Sequence, residues 1–129
     1  MSHAATVRCF LMRYHALPYL PAPQVEMEGI HIFFAWEVLR PLLLGHAAVL
    51  IQKKTLIDPP SLARALRKYS ISRIMVTASL TKNMLELVAD QLRELGQSHS
   101  LRNWMMMGEV SQRSSNLAFT SVAHCNPSR

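Results

Sequence analysis

"LIDPPSLARALRKYSISRIMVTASL", residues 56–80, decides how this chain is read. Asp58 can cap a helix, Pro59 suits its first turn, and Leu62, Ala65, Leu66 and Tyr69 recur at i, i+3, i+4 and i+7. Arg64, Arg67 and Lys68 face the other way, as a solvated surface would. "SRIMVT" (72–77) then reads as a buried strand. Ser79 or Thr81 can open a further helix, with Leu80, Met84, Leu87, Val88, Leu92 and Leu95 along one face and Gly96 at its end. Helices alternating with short apolar strands predict an α/β fold: a partial parallel sheet with covering helices and right-handed crossovers.

The pattern extends in both directions. Upstream, "FAWEVLRPLLLGHAAVLI" begins as a helix, with Phe33, Trp36 and Leu39 or Arg40 at helical spacing and Glu37 within reach of Arg40. Pro41 lacks the N–H that would bond back to residue 37, which predicts a kink or break there. Gly45 suits a C-cap, and "AAVLIQ" (47–52) reads as another strand. Downstream, "NWMMMG" (103–108) is the third strand. Three zones result: an irregular, Pro-punctuated segment over 1–29, the α/β region over 30–110, and an irregular tail over 111–129.

Composition excludes several classes. Half of the 129 residues are hydrophobic and 17% are charged, so disorder throughout is excluded. The longest nearly apolar run, Leu42 to Ile51, is half the ~20 residues a membrane span needs. The net charge of +6 resides mostly in the flanks: Arg8, Arg13, Arg113 and Arg129 stand there without an acid. No Lys/Arg cluster interleaves with aromatics, which argues against nucleic acid as a partner. Cys9 and Cys125 are too far apart in sequence for a C-x-x-C motif and make no disulfide framework. These features are consistent with a cytoplasmic protein; the acid-free N-terminus leaves mitochondrial import as the alternative.

In open parallel sheets, ligands bind outside the carboxyl ends of the strands. That rule points to Thr77, Ala78 and Ser79 after one strand and to Gly108 and Glu109 after another. The six histidines show no metal spacing, and no phosphate loop, dinucleotide fingerprint or nucleophile elbow occurs in the chain.

The order of these residues resembles the central part of adenylation (AMP-binding) domains of the adenylate-forming ligase superfamily. That superfamily includes nonribosomal peptide synthetases, aminoadipate-reductase-type enzymes and acyl-CoA synthetases. The matching features are "WE" with "PLLLG" (36–45), the "DPPSL" helix start (58–62), "TASL" (77–80), and "LRNWMMMGE" (101–109). Such enzymes activate a carboxylic acid with ATP to an acyl-adenylate and pass the acyl group to a thiol. The resemblance implies a substrate pocket lined by Phe33, Trp36, Met75, Met105 and Met107, with Gly108 and Glu109 beside the nucleotide.

There are departures from the family pattern. Ile32 stands where amino-acid-activating members carry an Asp, Ala78 replaces a Pro, and Met107 replaces the first Gly of G-G-E. The phosphate loop, the Y-G-x-T-E segment and the catalytic Lys of the family are not among these residues. The resemblance therefore implies a piece of a larger adenylate-forming domain, inactive on its own. The complete enzyme would use ATP and Mg, while this chain alone would bind neither. Self-association through uncovered apolar faces is expected. The alternative is a non-catalytic α/β binding or interaction module.

Overall fold

The computed structural model describes residues 3–31, 34–98 and 100–106, with the backbone alone at 34–36. Elements follow in the order α1 (His3–Ala16), β1 (Met27–Ile30), α2 (Phe34–Leu42), β2 (Ala47–Leu50), α3 (Lys53–Leu56), α4 (Pro59–Lys68), β3 (Ile71–Val76), α5 (Ala78–Gln97) and β4 (Asn103–Met106). The described strands form one sheet in the order β2-β1-β3-β4, and every pairing is parallel. The α/β fold with a partial parallel sheet and covering helices is what the alternation of elements predicts.

The opening stretch folds largely as its capping chemistry dictates. Asp58 has extended backbone, and its carboxylate accepts from the Ser61 amide at 3.1 Å, with Pro59 in the first turn of α4. The buried face is Pro59, Leu62, Ala63 and Leu66. Ala63 thus replaces Ala65 at the centre of the stripe, and Tyr69 is exposed beyond the helix end. Arg64, Arg67 and Lys68 are solvated as expected.

The cap of α5 is Thr77, two residues before Ser79 and four before Thr81; its hydroxyl accepts from the Leu80 amide at 3.3 Å. Thr81 is instead buried and donates to the Thr77 carbonyl. Leu87, expected in the core, is exposed, while Met84, Val88, Leu92 and Leu95 are buried. Val88 leaves helical geometry (φ −141, ψ 30), so a kink intervenes along the predicted stripe.

The irregular segment expected over 1–29 is a second difference. It holds α1, whose one buried residue is Phe10, and β1 at the centre of the sheet. The helix has no acid in its first turn and little amphipathic contrast, so it lacks the usual start and face signals. Strand β1 carries Glu28, a residue type depleted in strands. Helix α2 also passes Pro41 and ends at Leu42; so near the C-terminus, the missing N–H costs the helix a single bond. Gly45 then takes positive φ (+77), and the His46 amide bonds back to the Pro41 carbonyl.

The sheet has two unlike faces because side chains alternate along each strand. One face packs Ile74, Val76 and Trp104, with Ile71 joining them at the irregular register that starts β3, against Leu62, Leu66, Met84, Val88, Leu92 and Leu95 of α4 and α5. Gly29 belongs to this face. A Cβ there would lie 3.0 Å from Ile51 Cδ1, 3.2 Å from Ile71 Cγ2 and 3.3 Å from Ile74 Cδ1, so glycine allows the close packing.

The other face is polar and buried. Glu26 accepts from Arg102 Nη1 at 2.5 Å and from Arg73 Nη1 at 3.4 Å, and Glu28 pairs with Arg40 and the Tyr19 hydroxyl. The Arg73 guanidinium lies 3.8 Å from the Tyr19 ring centroid, and Tyr19 stacks on His46 at 4.4 Å. Burial, with Glu28 beside it, pushes the Tyr19 hydroxyl far above its ordinary range. Arg40, read from sequence as a helical neighbour of Glu37, instead reaches across to β1.

None of the described helices is long and apolar enough to cross a membrane. Leu39, Leu42, Leu43 and Leu44 remain exposed around the end of α2, and β2 and β4 are the outer strands of the described sheet.

Candidate functional site

Three neighbouring strands end at one rim. His31 follows β1, Ile51 follows β2 and Thr77 follows β3. Between them opens a cleft of ≈ 630 Å³, within the ~300–1,000 Å³ typical of small-molecule sites. Ile51, Leu56, Ile57 and Leu80 form its apolar wall, while His31, Lys53, Thr77, Ser79 and Asn83 supply polar groups. The place is the one that parallel α/β architecture favours.

His31, Thr77, Ser79 and Asn83 are held by the sheet and α5, and Lys53 opens α3. Trp104 Nε1 donates to Thr81 Oγ1 at 2.9 Å, and Thr81 Oγ1 donates to the Thr77 carbonyl at 3.0 Å. That chain ties the rim of the cleft to β4. Thr77 and Ser79 hydroxyls lie 3.2 Å apart.

His31 Nε2 lies 2.5 Å from the Met75 carbonyl oxygen. A carbonyl can only accept, so Nε2 carries the proton and Nδ1 presents a lone pair in the neutral ring. Nδ1 is buried and finds no partner among the described residues. Burial lowers the imidazole pKa below its ordinary value, partly opposed by the hydrogen bond to Met75.

Between the lowered folded pKa and the unfolded value of ~6.5, the unfolded chain binds more protons. Stability contributed by neutral His31 is therefore present above about pH 6.5 and is lost as pH falls below it. Urea unfolding at pH 7.5 and 5.5 should show a midpoint that drops on acidification, and His31→Gln should reduce the drop. An equal drop in both proteins would refute the assignment.

Of the residues singled out from sequence, Met75 and Met105 are brought together as partners across β3 and β4. They lie on the polar face, where Arg13 of α1 directs Nη2 at Met75 Sδ (3.1 Å) and Nη1 at Met105 Sδ (3.4 Å). Met75 is buried and Met105 partly so. Neither side chain lines the cleft, although the Met75 carbonyl holds His31. Trp36 lies in α2, and its side chain is outside the described residues, as are Phe33, Met107, Gly108 and Glu109. Thr77 and Ser79 are at the cleft, as the strand-end rule places them.

Sequence reading missed His31, Lys53 and Asn83. His31 carried a usable signal, since a polar ring directly follows the short strand β1, but the strand itself went unrecognised. Lys53 and Asn83 had none, because a single lysine or asparagine near a helix start reads as surface.

No family model matches the chain. It is 29% identical over 108 residues, 84% of its length, to glycine betaine reductase ATRR of Emericella nidulans. It is 35% identical over 60 residues, 46% of its length, to nonribosomal peptide synthetase asaC of Aspergillus flavus. The chain spans only 8% and 6% of those two proteins. Among solved structures, CmiS6 superposes with a TM-score of 0.75 at 20% identity, over 96% of this chain and 29% of that one. At that identity the superposition speaks for the fold alone. The chain is thus distantly similar to a nonribosomal peptide synthetase and to a reductase, and shares its α/β fold with part of CmiS6.

Proposed function

We propose that these residues form the carboxylic-acid-binding part of an adenylate-forming enzyme of the nonribosomal-peptide-synthetase or acyl-CoA-synthetase type. The observation that carries the reading is the cleft at the carboxyl ends of β1, β2 and β3, in a chain similar over 60 residues to nonribosomal peptide synthetase asaC. The family motifs "WE…PLLLG", "DPPSL" and "LRNWMMMGE" support it in order. In this reading Phe33, Trp36 and Met107 belong to the lining of the acyl site and Gly108 and Glu109 lie beside the nucleotide, while Met75 and Met105, which face Arg13 on the polar side of the sheet, stand apart from the cleft.

The cleft binds and orients an acid; it does not by itself fit ATP. Its donor set is one ammonium, two hydroxyls and an amide, since the single N–H of the neutral His31 ring is taken by the Met75 carbonyl. Charge developing on a transferring phosphoryl group needs several convergent donors or a metal. No phosphoryl step is therefore assigned to these residues.

The test is ATP–pyrophosphate exchange over a panel of carboxylic acids. The 129-residue chain should give none. A chimera in which residues 3–106 replace the matching segment of a nonribosomal peptide synthetase adenylation domain should exchange with at least one acid. A soluble chimera inactive on every acid would overturn the reading, and exchange by the chain alone would overturn the division of labour.

A self-standing binding module is the second reading, favoured by the core that closes between the sheet, α4 and α5. It predicts ligand binding by the chain together with an inactive chimera.

A further inference from the structure

We propose that the leucine face of α2 and the outer edge of β2 form the interface of a two-fold dimer, with a second copy of this chain as the partner. The proposal goes beyond the adenylation reading and does not depend on it.

Helix α2 is amphipathic in the opposite sense to an ordinary surface helix. Its two charged side chains, Glu37 and Arg40, are buried, while Leu39, Leu42, Leu43 and Leu44 along it and just past its end are between 47% and 65% exposed. A helix on the outside of a domain usually does the reverse. The polar face of the sheet explains the inversion: Arg40 reaches Glu28 of β1, so α2 turns charge inward and leaves leucines outside. The Leu43 amide bonds to the Leu39 carbonyl at 3.0 Å, which stacks Leu43 on Leu39 with Leu42 beside them. A contiguous apolar patch of this kind marks an interface.

Strand β2 continues that surface. It packs beside α2, it is an outer strand of the described sheet, and Leu50 at its end is exposed. The Ala47 and Ile51 amides bond into β1, to the Glu26 carbonyl at 3.0 Å and the Ile30 carbonyl at 2.9 Å. By the two-residue alternation of a strand, Ala48 and Leu50 direct their N–H and C=O groups outward. Antiparallel pairing centred on Val49 opposes Ala48 of each copy to Leu50 of the other, and each such pair exchanges two hydrogen bonds. The two-fold axis then stands perpendicular to the sheet, with both copies of α2 on one side, flanking the seam.

Charge selects the partner. The chain carries a net charge of +6, so two copies repel wherever their basic surfaces meet. From Pro41 to Gln52 there is no Asp, Glu, Lys or Arg, and His46 is buried. This neutral stretch offers a charged partner nothing to pair with and does not repel its own copy, as an isologous contact requires. Lys53 and Lys54 follow β2, and antiparallel pairing sets the two copies' lysines at opposite ends of the seam.

The test is sedimentation velocity of the purified 129-residue chain over a concentration series, with amide hydrogen exchange followed by NMR. A dimer with a dissociation constant on the order of 10 μM is expected, because the patch is at the small end of the size range of specific interfaces. Salt at about 0.5 M should preserve or tighten it, since what is screened is net repulsion. The Ala48 and Leu50 amides should exchange slowly in the dimer and freely on dilution. Leu43→Glu should weaken the dimer by about tenfold or more by burying an unpaired carboxylate. Ala48→Pro removes an outward N–H alone, so it should weaken the dimer by about fivefold or more and leave the urea midpoint of the monomer nearly unchanged. Leu87→Glu, at an exposed site on α5 across the sheet, should leave the dimer intact.

A monomer throughout the series would overturn the proposal and leave the leucines to another protein or to further chain. A dimer dispersed by salt, or one untouched by both Leu43→Glu and Ala48→Pro, would also overturn it. So would a dimer whose Ala48 and Leu50 amides exchange freely, because the seam would then lie elsewhere. The adenylation reading is decided separately, by the chimera.

Discussion

Replacing Glu26 with alanine should cost about 3–5 kcal/mol, the usual penalty for breaking a buried ion pair from one side. The carboxylate is 2% exposed and serves three donors at once. Arg102 Nη1 reaches one oxygen at 2.5 Å, and Arg73 Nη1 (3.4 Å) and the Leu20 amide (3.2 Å) reach the other. Arg102 is partly exposed and can turn to water. Arg73, 2% exposed, cannot; after the substitution it keeps the Leu17 carbonyl at 2.6 Å and the Tyr19 ring but loses its ion pair with Glu26. Urea denaturation should show the loss as a lower midpoint with little change in slope. Pairing Glu26→Leu with Arg73→Met should recover much of it, since an apolar pair of similar volume often replaces a buried ion pair at little cost. A loss under about 1 kcal/mol for Glu26→Ala would mean that the polar face is open to water.

Leu66→Ala should cost about 2–5 kcal/mol by leaving a cavity in the opposite face of the sheet. Leu66 is fully buried among the residues that join α4 and α5 to β3. The informative control is Leu87→Ala. Both leucines lie on predicted helical stripes, but Leu87 is 67% exposed, so its truncation should change stability by about 0.5 kcal/mol or less. Equal losses from the two would contradict the difference in burial between them.

That contrast marks how far periodicity reaches. The α4 start was legible because Asp58 and Pro59 act within their own turn, and the strand runs 72–77 and 103–108 were legible because they are short and apolar. Observed bounds shift by a residue or lie partly beyond the described chain, but the elements are there. Strand β1 escaped notice because Glu28 looks like a solvated residue until Arg40 and Tyr19 are brought to it from α2 and the preceding loop. Without β1, His31 had no strand end to sit on. Arg73 lies within the run that reads as a buried strand, and its charge is met on the second face by Glu26, the Leu17 carbonyl and the Tyr19 ring.

The candidate site divides in the same way. Thr77 and Ser79 follow from the rule that ligands meet the carboxyl ends of parallel strands, and the cleft includes both. Met75 and Met105 pair across β3 and β4, yet face Arg13 rather than the cleft. A residue's side of a strand depends on register, and register depends on partners far away in sequence.

Caps, turn residues and the alternation of helical with strand-like apolar runs were enough to specify a parallel α/β fold, since each acts over a few residues of chain. The buried ion network, the fourth strand and the cleft that gathers His31, Lys53 and Asn83 required the assembled sheet. Charges enter a core only where opposite charges and hydrogen-bond partners meet them, and that meeting is a property of three-dimensional contact.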